Sequence, residues 1–332
     1  MSLLSFQHEH YLLEPGESVL DCLLRNGQAV SYSCKSGLCQ ACLVQAVDCQ
    51  PTSRAMQGLK STLQQTRHAL ACQWQPEADV SVRLPDDAAV SVHGSIHALQ
   101  LLNPAVMKLV VRADDSKALA ECRPGQYLNV VNPAGIMRSY SMANDCRADG
   151  CAEFHIAATA QGLFSNWLFN EAKIGDSVQL RGPAGNCFYL KETSQLQPML
   201  LVGGGTGLAP LYGILNDALD QGHQGPISLL HAGSTAEQLY YRQELRSLAA
   251  TYPNFSYTAV VREATADSSC QQGDAIQIAL AQLAALPAAD TRVYLCGNPA
   301  FVQTLRKLAF LKGVRSANIY CDPFIERSTA SA

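Results

Sequence analysis

Long apolar runs are missing: nothing in the 332 residues approaches the ~18 consecutive apolar residues of a membrane span, so no membrane span is expected. Positive charge is also scarce. Lys and Arg number 24 against 28 acids, a formal net charge of -4, which excludes a strongly basic nucleic-acid binder, and no nucleic-acid partner is expected. Met1 to His10 lacks a basic stretch followed by an apolar one, so no signal peptide is expected. Internal repeats and low-complexity tracts are missing too. Charged residues at 16% beside 48% hydrophobic residues are an ordinary globular composition, not a disordered one. The length suggests two or three domains of ~100–200 residues each.

Cysteine is plentiful. Thirteen of them, an odd count without a signal peptide, argue against a disulfide framework and for a reducing, cytoplasmic setting. There, scattered cysteines are usually core residues, and clustered ones mean metal or redox chemistry. The cluster is Cys34-Lys-Ser-Gly-Leu-Cys39-Gln-Ala-Cys42, followed after 29 residues by Cys72. This C-x4-C-x2-C…C spacing is that of plant-type 2Fe–2S ligation, with the four cysteines as metal ligands. Iron prefers soft thiolates, and three on one loop can wrap a small cluster. Gly37 lets the backbone approach, and Ser33, Ser36 and Ala41 are small enough not to block it. Structural zinc usually shows a second close cysteine pair, which Cys72 lacks. A Cys39-x-x-Cys42 redox pair would follow a strand in a βαβ unit, and this one does not. Cys22 sits at apolar spacing from Val19 and reads as core; neither it nor Cys49 is counted as a ligand.

The chain divides by pattern into residues 1–90, 94–193 and 196–332. In the first segment, Ser18 with Asp21 predicts a helix start, Gly27 its end, and strands fall near Leu43–Val47 and Val80–Leu84, with a boundary at Pro85-Asp86-Asp87. The second holds short strands between turns, at Lys108–Arg112, Tyr127–Val131, Arg138–Met142, Glu153–Ala157 and Ser177–Arg181, and a single helix, Ser165–Ala172. That pattern predicts an antiparallel barrel. The third alternates strands (Met199–Val202, Ile227–His231, Phe255–Val261, Arg292–Leu295) with helices (Leu208–Leu219, Ala236–Ala250, Ala275–Ala284, Ala300–Leu311), hence a parallel α/β sheet. Residues 1–90 carry nine acids against six bases, most of the negative excess.

Two further groups of residues carry chemistry. Arg138-Ser139-Tyr140-Ser141 lies on a strand, Gly162-Leu-Phe-Ser165 opens the helix, and Arg181-Gly-Pro-Ala-Gly185 follows a strand. A helix start presents free amides to a phosphate, and Arg138 can clamp the same phosphate. In the third segment, Pro198–Val202 runs into Gly203-Gly204-Gly205-Thr206-Gly207 and a helix, a turn suited to a diphosphate. No Gly-Lys-Ser/Thr follows, so it is not a P-loop, and a purely structural turn has even weight. Cys296-Gly297-Asn298 ends a later strand, where open α/β sheets bind ligands. An isolated cysteine there would more often be inert packing.

These motifs carry a resemblance. Residues 1–90 resemble a plant-type ferredoxin domain of β-grasp fold, with Gln40 where relatives commonly have glycine; its side chain is expected to point away from the loop. The rest resembles the ferredoxin–NADP reductase superfamily, a six-stranded antiparallel barrel for flavin followed by an α/β nicotinamide domain. The resemblance implies FAD and site roles. Arg138, Gly162 and Ser165 would hold the pyrophosphate, Tyr140 would pack on the isoalloxazine, and Ser141 would bond flavin N5. His155 would compensate for a missing basic residue at Ala157-Ala158, or be a solvated strand histidine. Cys296 would sit by the reactive nicotinamide carbon, and Phe324 would cover the flavin face or merely anchor the chain end. Domain order favours NADH. Ser234 and Arg262 could accept the 2′-phosphate of NADPH, and Glu237 would repel it.

The three-part order resembles the reductase components of bacterial oxygenases, the benzoate-dioxygenase-reductase type, and a reductase of deoxysugar formation. It implies electron flow from NADH through FAD and the 2Fe–2S cluster to a protein acceptor docking near the acidic first segment, with the chain a monomer. The alternatives are a reductase of free flavin or a small acceptor, and an electron carrier without hydride chemistry.

Overall fold

Ser18 opens the first helix as its position predicts: its hydroxyl oxygen accepts the Asp21 amide at 3.1 Å and its proton goes to the Asp21 carboxylate. The computed structural model describes residues 2–37, 39–85, 90–191, 195–264 and 266–324. The chain folds into two units, divided between residues 88 and 89. The boundary expected at Pro85-Asp86-Asp87 falls partly outside the described residues.

The first unit contains β1 (Leu3–Phe6), β2 (Glu9–Leu12), α1 (Val19–Arg25), β3 (Leu43–Ala46), α2 (Ser53–Met56), α3 (Ser61–Gln65), β4 (His68–Leu70) and β5 (Val80–Arg83). The sheet runs β2-β1-β5-β3-β4, with β1 and β5 parallel and the other pairs antiparallel. Helix α1 buries Val19, Leu20, Cys22 and Leu23, confirming Cys22 as core. Gly27, at φ 75°, follows the helix end in the left-handed conformation that glycine adopts at least cost.

The second unit begins with a barrel: β6 (Val90–Asn103), β7 (Val106–Ala113), β8 (Tyr127–Val131), β9 (Met137–Ser141), β10 (Cys151–Ala157), α4 (Leu163–Asn170) and β11 (Ser177–Ala184). The strands run β10-β7-β6-β11-β8-β9, and a Met142–Phe154 bridge joins the two outer strands. β6, which starts at Val90, is a strand that the turn signals do not predict.

A parallel sheet follows, built from β12 (Met199–Gly204), α5 (Leu208–Asp220), β13 (Ile227–Gly233), α6 (Arg242–Thr251), β14 (Phe255–Val261), β15 (Gln271–Gln272), α7 (Ala275–Ala284), β16 (Arg292–Gly297), α8 (Pro299–Leu311) and β17 (Ile319–Pro323), in the order β15-β14-β13-β12-β16-β17. The helix expected over Ala236–Ala250 is broken. A short 3-10 turn at Ala236–Gln238 is followed by Tyr241 at φ 54°, and α6 starts only at Arg242. Tyr240 is buried among His155, His231 and Tyr241, and this packing overrides the helical pattern. No helix among the described residues is long and apolar enough to cross a membrane.

Candidate functional site

The cysteine loop faces solvent, with Cys34 and Cys39 exposed, Cys42 buried and Cys72 half-buried on the 3-10 turn Ala71–Gln73. Backbone donors converge on sulfur: the amides of Ser36 and Cys39 reach Cys34 Sγ at 3.4 and 3.3 Å, and the Cys34 amide reaches Cys39 Sγ at 3.5 Å. Together with the Ser36 hydroxyl, the foremost influence, they draw the Cys34 thiol down to about 5, whereas burial pushes Cys42 up to about 11. The thiols stand in pairs. Cys34 and Cys39 share these bonds, and Cys42 Sγ meets the amide and thiol of Cys72. No three His, Cys, Asp or Glu side chains among the described residues gather as they would around one ion. Two thiol pairs suit a two-iron cluster better than a mononuclear site.

Gly37 is favoured by its φ of 83°, and a Cβ there would also stand 3.0 Å from Gln73 Cγ, a tight contact. Gln40 occupies φ 57° and turns its side chain away as expected, donating to Gly58 O at 2.9 Å.

In the barrel, Arg138 bonds only its neighbour's carbonyl, Met137 O, at 2.8 Å, and has no acidic partner among the described residues. Tyr140 packs on Phe164 with ring centroids 5.2 Å apart, which sets β9 against the first turn of α4. A Cβ on Gly162 would stand 2.1 Å from Thr159 Oγ1, so the helix start admits no side chain. A guanidinium without an acidic partner among the described residues, on the strand that packs against a bare helix start, fits a pyrophosphate.

His155 is placed differently from expectation, and two further candidates use their hydroxyls within the protein. Ser165 is buried with its hydroxyl committed to Thr159 Oγ1 at 2.8 Å, leaving it no side-chain bond to spare for a phosphate. Ser139 Oγ donates to Asn129 at 2.6 Å on the neighbouring strand. His155 is buried, with Nε2 2.9 Å from Glu153 and Nδ1 3.0 Å from Tyr240 Oη. Both its nitrogens are taken within the protein, so it is neither a solvated histidine nor a substitute for a surface base.

The glycine turn leaves β12 at Gly204 and winds through a 3-10 turn, Gly205–Gly207, into α5. A Cβ on Gly207 would sit 2.4 Å from Cys296 O, whereas one on Gly205, at φ 57°, would meet nothing within 4 Å among the described residues. One side of the turn is therefore packed and the other open, a cradle for a dinucleotide. In register, Gly203 lies beside Cys296, and Cys296 beside Asp322. Ser141 reaches from the barrel to the same place, its Oγ donating to Asp322 Oδ2 at 2.5 Å. Asp322 was missed by sequence reasoning. It belongs to β17, a strand the periodicity did not reveal, and only the Cys-Asp-Pro-Phe context near the chain end pointed there.

Burial raises Asp322 to about 6 against the pull of the Ser141 hydroxyl. Cys296 is fully buried with Cys187 Sγ at 3.9 Å; burial first, then that thiol, keeps it protonated, so it is no nucleophile. Asn298 caps α8, its side-chain oxygen accepting the Ala300 amide at 2.9 Å. Phe324 donates its amide to Gly297 O at 2.8 Å, which seats it beside the Cys296-Gly297 strand end.

Comparison with known proteins agrees with this division of chemistry. Residues 7–77 match the 2Fe-2S iron-sulfur cluster binding domain, 94–189 the oxidoreductase FAD-binding domain, and 201–307 the oxidoreductase NAD-binding domain. The chain is 34% identical over 95% of both lengths to the ferredoxin–NAD(P)+ reductase component of the naphthalene 1,2-dioxygenase/salicylate 5-hydroxylase systems of a Ralstonia species. It is 31% identical to the toluate 1,2-dioxygenase electron transfer component of Pseudomonas putida, covering 93% of each chain. Among solved structures, the Amycolatopsis cytochrome P450 reductase GcoB matches with a TM-score of 0.67 at 27% identity, covering 98% of this chain and 99% of its own. With a cluster domain, a flavin barrel and a nicotinamide sheet in this order, the chain belongs to the three-domain ferredoxin–NAD(P)+ reductase family, and is an NAD(P)H-dependent oxidoreductase carrying FAD and a 2Fe–2S cluster.

Proposed function

We propose that this chain is the reductase component of an oxygenase system, delivering electrons from NADH to a partner oxygenase protein. Bound here, a nicotinamide, a flavin and a 2Fe–2S cluster would together supply the conversion of a two-electron hydride donor into single electrons for that partner. The proposed domains are residues 1–90, 94–193 and 196–332. Cys34, Cys39, Cys42 and Cys72 hold the cluster. Arg138 and the amides around Gly162 hold the flavin pyrophosphate, Tyr140 and Ser141 line its ring, and Phe324 covers it. Gly203–Gly207, with Gly297 and Asn298, receive the nicotinamide dinucleotide.

The observation that carries the reading is the convergence of Ser141, Cys296 and Asp322 beside the glycine turn. Ser141 presents its oxygen where the barrel meets the sheet, held by Asp322. Cys296 lies buried beneath that point, a small neutral sulfur packed against Cys187 that supports the site without reacting. The relatives' oxygenase systems support an oxygenase acceptor, and the negative excess of residues 1–90 supports a partner with a basic face docking there. A partner reduction rate that ignores ionic strength would refute that docking. A monomer in the cytoplasm is the proposed state.

The test is an anaerobic visible spectrum with separate NADH and NADPH titrations. Flavin bands and an iron–sulfur shoulder, both bleached by NADH at lower concentration than by NADPH, are expected. Flavin without the shoulder, in protein that retains its iron, would overturn the cluster assignment. Two chromophores that neither nucleotide bleaches would make the chain a carrier.

A further inference from the structure

Beneath the glycine turn lies a buried group that the assignments above leave unused. His231, on β13, is fully buried, and its Nε2 stands 3.0 Å from Gly205 O. A carbonyl oxygen only accepts, so Nε2 carries the proton, while Nδ1 has no partner among the described residues. The ring is fixed from behind. Tyr240 meets it edge-on, with centroids 5.5 Å apart and planes at 78°. Tyr240 in turn is held by His155, and His155 by Glu153. Burial keeps His231 neutral, its pKa lowered to about 4.

A trans peptide points its C=O and N–H in opposite directions. With the Gly205 carbonyl drawn inward to His231, the Thr206 N–H is turned the other way, away from the buried ring. We propose that His231 is a positioning residue for the nicotinamide dinucleotide: its Nε2–H pins the Gly205 carbonyl and so presents the Thr206 amide to the diphosphate. The Leu208 amide also reaches Gly205 O within the 3-10 turn, so a purely packing residue would fill the space but leave that carbonyl with the turn bond alone, without the second donor that fixes its direction. The proposal rests on the reading that Gly203–Gly207 binds the diphosphate.

The experiment uses the holoprotein with NADH as the probe and ferricyanide as acceptor. His231→Leu is expected to raise the KM for NADH about tenfold while kcat stays within about twofold, at unchanged flavin and iron content. His231→Gln, whose amide can donate over a similar reach, should return the KM to within about threefold of the wild type. Should His231→Leu fail to fold, His231→Phe makes the same comparison with a ring in place. An unchanged KM in the variant lacking the donor, or a Gln variant no better than it, overturns the proposal. Gly204→Glu sets a carboxylate on the turn at a position where a Cβ meets only Phe301, at 3.8 Å. A KM unmoved by Gly204→Glu overturns the loop reading and the proposal with it. A KM raised by Gly204→Glu but not by loss of the His231 donor overturns the role of His231 alone.

Discussion

Cys34 and Cys296 are the same residue in opposite surroundings. Cys34 is exposed, yet a hydroxyl and two amides aimed at its sulfur draw its thiol down to about 5. Cys296 is buried in a parallel sheet beside another thiol, with Asp322 across the ladder, and its proton is held tightly. One environment prepares a thiolate for iron; the other keeps a buried thiol neutral. The difference comes from the donors of the loop, the Ser36 hydroxyl foremost, on one side and from burial on the other. A loop with Lys35, Gly37 and Gln40 at positive φ turns its amides toward sulfur, whereas strand amides are used up by the sheet.

The largest expected effect comes from breaking the first environment. Cys34→Ala should remove the iron–sulfur shoulder and cut cytochrome c reduction at least ~100-fold, with ferricyanide reduction from the flavin surviving. Loss of both activities would mean that the two sites are not separable. Breaking the second environment should do the reverse. Cys296→Ala should slow anaerobic flavin bleaching by NADH roughly ten- to a hundredfold through misplacement at the transfer site, leaving the cluster spectrum untouched. An unaltered bleaching rate would reduce Cys296 to packing.

Asp322 sharpens the contrast through pH. Its folded pKa, about 6, lies above the ordinary 3.8, so the folded chain holds this proton more tightly than the unfolded one. Stability therefore falls as pH climbs through that window and stays lower above it. Asp322→Asn keeps an acceptor for Ser141 but cannot ionise. The Tm advantage of the variant over the wild type should grow between about pH 4 and pH 6 and then level off. A Tm difference that does not change with pH would mean that Asp322 ionises as freely as an exposed acid.

The two regions were not equally legible in the sequence. The cluster loop is local, so Cys34, Cys39 and Cys42 and the outward turn of Gln40 could be read from spacing and residue type. The transfer site is assembled from segments far apart, and Ser141 and Asp322 are separated by 181 positions. Spacing could indicate Cys296 at a strand end and a glycine turn beside it, but not the bond that joins them to the barrel. The same limit explains His155: alternation placed it on a strand, but its partners Tyr240 and Tyr241 come from a segment that periodicity alone read as helix. Where tertiary packing decides, as at Tyr241, local pattern loses.

The smallest expected effect tests how the cluster loop is held. Gln40 sits in a left-handed conformation that costs an L side chain about 1 kcal/mol, and its exposed bond to Gly58 O returns about 0.5–1 kcal/mol. Gln40→Gly relieves the strain, gives up the bond and adds freedom to the unfolded chain, worth about 0.5–1 kcal/mol against it. These contributions nearly cancel, so the Tm of the first unit should move by only a few degrees, roughly 5 °C at most. The cluster spectrum should not change, because the amides that face sulfur belong to Ser36 and Cys39 and not to the Gln40 side chain. A shifted cluster spectrum would mean that the side chain, anchored on Gly58, shapes the loop.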